Sequence, residues 1–273
     1  MATRKVKADF HNHLRTSSRL ADSDFNRAVD IAECRLGSGG TFGMINFDDK
    51  RYEKFIGFKG YNRDYIGENK NAIYIPGKDI LIVKGQEVPT QQGHLLILGL
   101  GYDEHIKQNQ TLEDTIKESR DKEATIILDH PFCKIACGAG EFLRKRENHN
   151  LLKYIDALEV HNGEVSLFPP SNIKAKIFYN SISTYNVGAI STSDGHSFYE
   201  LGTSWTEIDE IDRDKGKFLE SLRKSVQETK YSKRENSASL VGALEHGIYV
   251  KFTIPFLSKI GLSRLFDTER PLQ

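Results

Sequence analysis

Short apolar runs recur along this chain, and most end in a polar cluster that carries an acid or an imidazole. Val6-Lys7-Ala8 leads into Asp9-Phe10-His11-Asn12-His13, and Val187-Gly188-Ala189-Ile190 leads into Ser193-Asp194-Gly195-His196. Between them, Ile80-Leu81-Ile82-Val83 runs toward Glu87, Thr125-Ile126-Ile127-Leu128 into Asp129-His130, and Ala157-Leu158 into Glu159-Val160-His161-Asn162. Runs of this length predict strands over 6–10, 41–47, 80–83, 94–100, 125–129, 157–160 and 187–191. Helical spacing separates most of them. Phe25, Ala28, Val29, Ala32 and Leu36 share one face, which predicts a helix over 24–36. Gly37-Ser38-Gly39-Gly40 stops it; without a following Lys-Ser/Thr this is a turn and no phosphate loop. Further helices are expected at 112–120, 142–154, 174–185 and 218–224. Strands alternating with helices predict an α/β barrel.

Two stretches break the alternation. Residues 50–78 are rich in Tyr, Lys, Asn and Gly and read as an irregular insertion with a short helix. Its aromatics (Tyr52, Phe55, Phe58, Tyr61 and Tyr65) can stack a base, but packing onto the barrel is the commoner use of such residues. Residues 236–273 change character and read as an extension that closes the barrel or makes a subunit contact, leaving 1–235 as the barrel.

Composition narrows the partners. The 273 residues carry 38 basic and 38 acidic side chains, so bulk charge does not point to nucleic acid. No apolar run approaches the ~18 residues a membrane span needs, and no stretch of signal-peptide length opens the chain. With three cysteines, a cytoplasmic setting is expected. Cys133 and Cys137 flank a loop near His130 and read as small buried side chains before metal ligands.

The strand ends carry the chemistry. His11 and His13 are two apart on an extended segment and project to one side, which is half of a divalent-metal site. Asp194 and His196 share that spacing, Glu87 can bridge two cations through its two oxygens, and His94 and His130 add nitrogens. In their order and spacing these motifs resemble the polymerase-and-histidinol-phosphatase (PHP) family. Asp9-Phe10-His11-Asn12-His13 resembles its opening motif, Gly85-Gln86-Glu87-Val88 with Gly93-His94-Leu95 its Glu motif, and Asp129-His130-Pro131 its His-Pro motif. Glu159-Val160-His161-Asn162, Ser193-Asp194-Gly195-His196 and Leu201-Gly202-Thr203-Ser204-Trp205-Thr206 follow in family order. The resemblance runs from about residue 6 to about 225. It implies a distorted (β/α)7 TIM-like barrel with metals at the C-terminal strand ends.

It also implies roles. One cation would sit on His11, His13, Glu87 and Asp194, and a second on Glu87, His94 and His130. His196 is expected either to serve a third cation or to protonate the leaving group. Asp9 is expected behind the histidine pair, holding an imidazole. The third site departs from the family: Ile45-Asn46-Phe47-Asp48 stands where a Thr-Asp-His is usual, and Leu14-Arg15-Thr16-Ser17-Ser18-Arg19 lacks the other ligand. Two divalent ions (Zn, Mn or Fe) are therefore expected, with the third open. The implied activity is hydrolysis of a phosphoester by metal-activated hydroxide, with Glu87 and His196 catalytic and Arg15 and Arg19 gripping phosphate. A small phosphorylated metabolite or nucleotide is the first expected substrate. A nuclease whose groove is formed by 50–78 and Arg144 to Arg146, or a non-catalytic regulatory descendant, are the alternatives.

Overall fold

The computed structural model describes residues 3–14, 19–47, 49–133, 137–167, 170–230 and 235. Arg15, Asp48 and the expected extension at 236–273 lie outside the described residues. The chain order is β1 (Lys5–Asp9), α1 (Asp22–Leu36), β2 (Thr41–Asn46), α2 (Arg51–Gly57), β3 (Asp64–Ile66), β4 (Ala72–Ile75), β5 (Ile80–Thr90) and β6 (Gly93–Leu98). Then come α3 (Leu112–Asp121), β7 (Thr125–Leu128), α4 (Gly140–Leu143), β8 (Ala157–Asn162), α5 (Pro170–Ser181), β9 (Gly188–Thr192), β10 (Thr206–Asp209) and α6 (Phe218–Gln227).

The strands curl into one nearly closed, barrel-shaped sheet in the order β10-β1-β2-β5-β6-β7-β8-β9. The expected TIM-like barrel is thus the architecture found. β1, β2 and β5 pair in parallel, as do β7, β8 and β9. β6 lies antiparallel between the two sets, so both run the same way. That reversal has a direct consequence: the start of β6 lies beside the end of β5, and His94 pairs with Pro89 across the hairpin. β10 runs antiparallel to β1. It meets β9 through a side chain: the Thr206 hydroxyl accepts the Ser191 N–H at 2.6 Å and donates to the Ser191 carbonyl at 3.0 Å.

β2, β8 and β9 are buried at every residue, as strands covered on both faces must be. α1 begins where the Asp24 carboxylate accepts the Ala21 N–H at 2.7 Å and ends at Gly37, whose φ of 77° suits the glycine predicted there. α6 lays Phe218, Leu222 and Val226 against the same apolar cluster as Val6, Ile127 and Ile190.

Two local readings change. The insertion at 50–78 is more regular than expected: α2 is followed by the β3–β4 hairpin, which pairs with the first half of β5. Its aromatics serve packing, with Tyr52 and Phe55 fully buried beside Phe25 and Met44, and Phe58 and Tyr61 against them; Tyr65 is exposed. The helix expected over 142–154 is split into α4 and a 3-10 segment at Arg146–Tyr154. Asn148-His149-Asn150 within it compete with the helical backbone.

Candidate metal centre

Every parallel strand with an expected ligand delivers it at its C-terminal end. His11 and His13 follow β1, Glu87 lies near the end of β5, His130 follows β7, and Asp194 and His196 follow β9. His94 reaches the same end because β6 starts there. Backbone bonds then join the first and last motifs: the His13 N–H donates to the Gly195 carbonyl at 2.7 Å, and the Gly195 N–H to the His11 carbonyl at 3.1 Å. Gly163 lets the end of β8 approach this loop, since a Cβ there would stand 2.6 Å from the Ser193 carbonyl oxygen.

The structure brings His11, His13, Glu87, His94, His130, Asp194 and His196 together. His11 Nε2 lies 3.2 Å from His13 Nε2. Glu87 Oε2 is 2.9 Å from His13 Nε2 and 3.7 Å from His11 Nε2, and Asp194 Oδ1 is 3.4 Å from His11 Nε2. The other Glu87 oxygen, Oε1, is 2.6 Å from His94 Nδ1 and 3.1 Å from His130 Nε2. One carboxylate therefore spans two sets of nitrogens. His196 stacks on His13 with centroids 4.9 Å apart, and its Nε2 is 2.8 Å from Glu164 Oε2 and 3.5 Å from Asp194 Oδ1.

The backbone is bent to make this arrangement. His130 and Asp194 have φ values of 23° and 51°, in the left-handed region that side chains other than glycine adopt at a cost. A β-bulge between Glu159 and His161 re-aims the end of β8.

Charge follows from the packing. Burial works against the Glu87 and Asp194 carboxylates, yet the surrounding imidazoles hold both well below the usual carboxylate range. Burial lowers His13, and it lowers His196 to about 4. Burial also opposes a charge on His11, but Asp194 and Glu159 outweigh it and raise that imidazole.

The donor set fits divalent cations. The Glu159 carboxylate takes His11 Nδ1 at 2.9 Å, which places a proton on Nδ1 and leaves Nε2, turned toward His13, as the nitrogen that would face a cation. Two imidazole nitrogens and two carboxylate oxygens facing one another at these distances are a cation's ligands in type and direction. Among the described residues three groups each bring at least three such atoms within 4.8 Å of one another: His11, His13 and Asp194; Glu87, His94, Asp129 and His130; and Glu164, Asp194 and His196.

Asp9 is a correction. It does not hold an imidazole; its two oxygens accept the Ser193 N–H at 2.9 Å and the Gly202 N–H at 2.7 Å, tying β1 to the loop after β9. Glu159 stands behind His11 instead, and it also accepts the His130 N–H at 2.8 Å and the Thr192 hydroxyl at 2.8 Å. Asn162 links it to Asp194.

Sequence reasoning gave no metal-related part to Glu159, Asp129 or Glu164. For Glu159 the Glu-x-x-Asn pattern was a signal, but nothing in the spacing says which strand faces which imidazole. Asn46, at the family's Thr-Asp-His position, bonds Glu53 and the Tyr52 N–H, while Phe47 places its ring 6.5 Å from His13 and 5.9 Å from His94. Arg51, buried, donates to the His13 and Leu14 carbonyls and to Asp49, bracing the segment after the histidine pair. Arg19 is exposed just ahead of buried Leu20. Cys133 is buried and Cys137 exposed, and both lie outside the three groups.

A cavity of about 610 Å³ opens far from this chemistry, between Arg4, Asp209, Arg213 and Lys224. Its charges pair with one another, as in Arg213–Glu210 at 2.8 Å, so it is a solvated cleft. Among the described residues no helix is long and apolar enough to cross a membrane.

No family model matches the chain. An uncharacterized protein of Methanocaldococcus jannaschii is 27% identical over 133 residues, which is 49% of this chain and 54% of that one. A two-domain protein containing a predicted PHP-like metal-dependent phosphoesterase, from Bacteroides vulgatus, superposes with a TM-score of 0.53 at 19% identity, covering 82% of this chain and 64% of that one. An Endonuclease Q bound to a 27-mer duplex with an abasic lesion at its active site superposes with a TM-score of 0.54 at 13% identity, covering 99% of this chain and 74% of that one. The chain thus spans about half of its sequence relative and under two thirds of the Bacteroides protein. With the strand order and the place of the ligand-type side chains, these likenesses establish that the chain has the PHP-like barrel fold.

Proposed function

We propose that this chain is a metal-dependent hydrolase of phosphoesters, acting on a small phosphorylated metabolite or a nucleotide. The observation that carries this reading is the facing pair of imidazole nitrogens, 3.2 Å apart, with both oxygens of Glu87 shared between them and a second imidazole pair. Two divalent cations, drawn from zinc, manganese or iron, would supply Lewis acidity and positive charge to the phosphoryl group. His11, His13, Glu87 and Asp194 would hold the first, and Glu87, His94 and His130 the second. The chain's own residues then set the geometry. Glu87 fixes the spacing of the two positions, and Glu159 keeps His11 in the tautomer that presents Nε2. His196 has two parts open to it, a ring-nitrogen ligand beside Glu164 and Asp194 or a proton donor to the leaving oxygen. Its Nε2 faces both carboxylates, which fits the ligand part and leaves a third position open. Arg15 and Arg19, on the segment after the histidine pair, would grip the phosphate. A low cysteine count of three suits the reducing cytoplasm.

Elemental analysis of the purified protein, followed by a screen over nucleotides and sugar phosphates, tests this. Bound transition metal and turnover that chelation abolishes are expected; a metal-free protein without turnover after reloading with manganese or zinc overturns it. A second reading, cleavage of nucleic acid, is favoured by the likeness to the DNA-bound endonuclease. Cleavage of an abasic duplex, with affinity that falls steeply with salt, would select it.

A further inference from the structure

We propose that Asp129 is a fourth protein ligand of the cation position formed by Glu87, His94 and His130, so that this position is closed by two carboxylates and two imidazoles. The inference rests on the metal reading above and assigns a residue that the reading leaves without a part.

Asp129 is fully buried, and neither of its carboxylate oxygens has a hydrogen-bond partner among the described residues. Other buried acids here are well supplied. Asp9 accepts two backbone N–H groups, Asp156 accepts Arg120, the Ile126 N–H and Gln227, and Glu159 accepts from four neighbours. A buried carboxylate with no hydrogen bonds is costly unless a cation compensates it. The positive candidate beside it among the described residues is His130, whose Nε2 lies 3.4 Å from Asp129 Oδ2. That is too long for a good charge-assisted bond, and the same nitrogen is nearer to Glu87 Oε1, at 3.1 Å. The same imidazole nitrogen thus faces both acids.

The backbone explains how Asp129 reaches the site. Neighbours on an extended strand point to opposite faces. The φ of 23° at His130 breaks that alternation just past β7, and the His130 N–H is pinned to Glu159 Oε2 at 2.8 Å. Both side chains of the Asp-His pair therefore offer an atom to one place, within 4.8 Å of atoms from Glu87 and His94. Asp129 would then help to fix the cation that shares Glu87 with the position on His11, His13 and Asp194. Mixed oxygen and nitrogen donors suit a first-row divalent ion such as manganese, iron or zinc.

The test uses the full chain without substrate. Wild type, Asp129→Asn and Glu87→Gln are stripped of metal, then titrated with Mn²⁺ or Zn²⁺ while melting temperature and bound equivalents are read. Metal-free Asp129→Asn should melt no lower than metal-free wild type, because the buried carboxyl it replaces has no hydrogen bond to lose. It should bind one equivalent at least about 10-fold more weakly, since groups merely behind a ligand are already worth 10- to 100-fold. Wild-type affinity for every equivalent, or a lower metal-free melting temperature, overturns the proposal. If Glu87→Gln weakens binding while Asp129→Asn does not, only the Asp129 assignment fails; if wild type binds neither ion, the metal reading itself fails. Asp129→Ala repeats the titration should the Asn side chain disturb the fold.

Discussion

Two of the barrel's buried polar clusters are built on opposite principles. Around Lys84, donors meet acceptors. Its ammonium donates to the Glu53 carboxylate and to the carbonyls of Gly101, Tyr102 and Glu104 at 2.8, 2.6 and 2.9 Å. The second Glu53 oxygen accepts Asn46 Nδ2 at 2.8 Å. Around Glu87, imidazole nitrogens face one another and four rings converge on one carboxylate. The first cluster is complete within the chain and reads as structure. The second gathers imidazole nitrogens and carboxylate oxygens within 4.8 Å of one another and leaves both Asp129 oxygens without a hydrogen bond among the described residues, the arrangement a cation would complete. Burial alone does not separate them, since Lys84 and His11 are both fully inaccessible.

Glu87→Gln should break the second cluster most severely. Replacing one shared oxygen by an amide weakens both cation positions, and turnover should fall by about 1000-fold, near 4 kcal/mol of barrier. The metal-free fold should survive, read by circular dichroism. Unchanged turnover and metal content would show that the nitrogens do not act through Glu87.

Lys84→Met should do the reverse. It strands the Glu53 carboxylate beside a methyl group, and losing one member of a buried pair costs about 3–5 kcal/mol. Urea unfolding should report that loss, while the folded fraction keeps its metal equivalents. Loss of metal without loss of stability would merge the two clusters into one.

Acid sharpens the contrast. Burial pushes the Glu53 carboxyl up, but the His105 hydrogen bond and the Lys84 charge prevail and hold it at about 2, against an ordinary 4.5. A carboxyl lowered by folding stabilises the native state above its unfolded value and loses that contribution as pH falls through the native one. Unfolding free energy, measured in the metal-free protein, should therefore drop between about pH 4.5 and 2, by up to about 3 kcal/mol from this group. In Lys84→Met the share due to the Lys84 charge should vanish. An acid limb identical to wild type would remove Lys84 from the explanation.

The sequence announces one of these clusters far better than the other. His11, His13, Glu87, His94, His130, Asp194 and His196 were legible because strand-end chemistry repeats in a fixed order. The barrel was legible from the same repetition. Lys84 was not, since a lysine inside an apolar strand shows its partners only once the 101–104 loop folds over it. The β3–β4 hairpin was hidden by composition, because Asn, Lys and Gly mask two short strands whose pairing comes from β5. Asp9 was misread for a related reason. An acid two residues before a histidine sits close in sequence, but the direction of its side chain depends on the loop it meets, and here that loop offers the Ser193 and Gly202 N–H groups.

That misreading supplies the smallest and most discriminating test. Glu159 takes His11 Nδ1, while Asp9 takes the Ser193 and Gly202 N–H groups. Glu159→Gln should keep the fold, because an amide oxygen still accepts from the His130 N–H or the Thr192 hydroxyl. It removes the charge that orients His11 and raises its basicity, so cation affinity should fall about 10- to 100-fold. Asp9→Asn should leave affinity near wild type and reduce stability instead, since an Asn nitrogen cannot accept one of the two N–H groups. Isothermal titration of both variants with Mn²⁺, beside their melting curves, reads the two effects separately. If Asp9→Asn lost affinity and Glu159→Gln did not, the imidazole pair would be held as the sequence alone suggests. The hydrogen bond at 2.9 Å between Glu159 and His11 would then have no part in presenting the ligand.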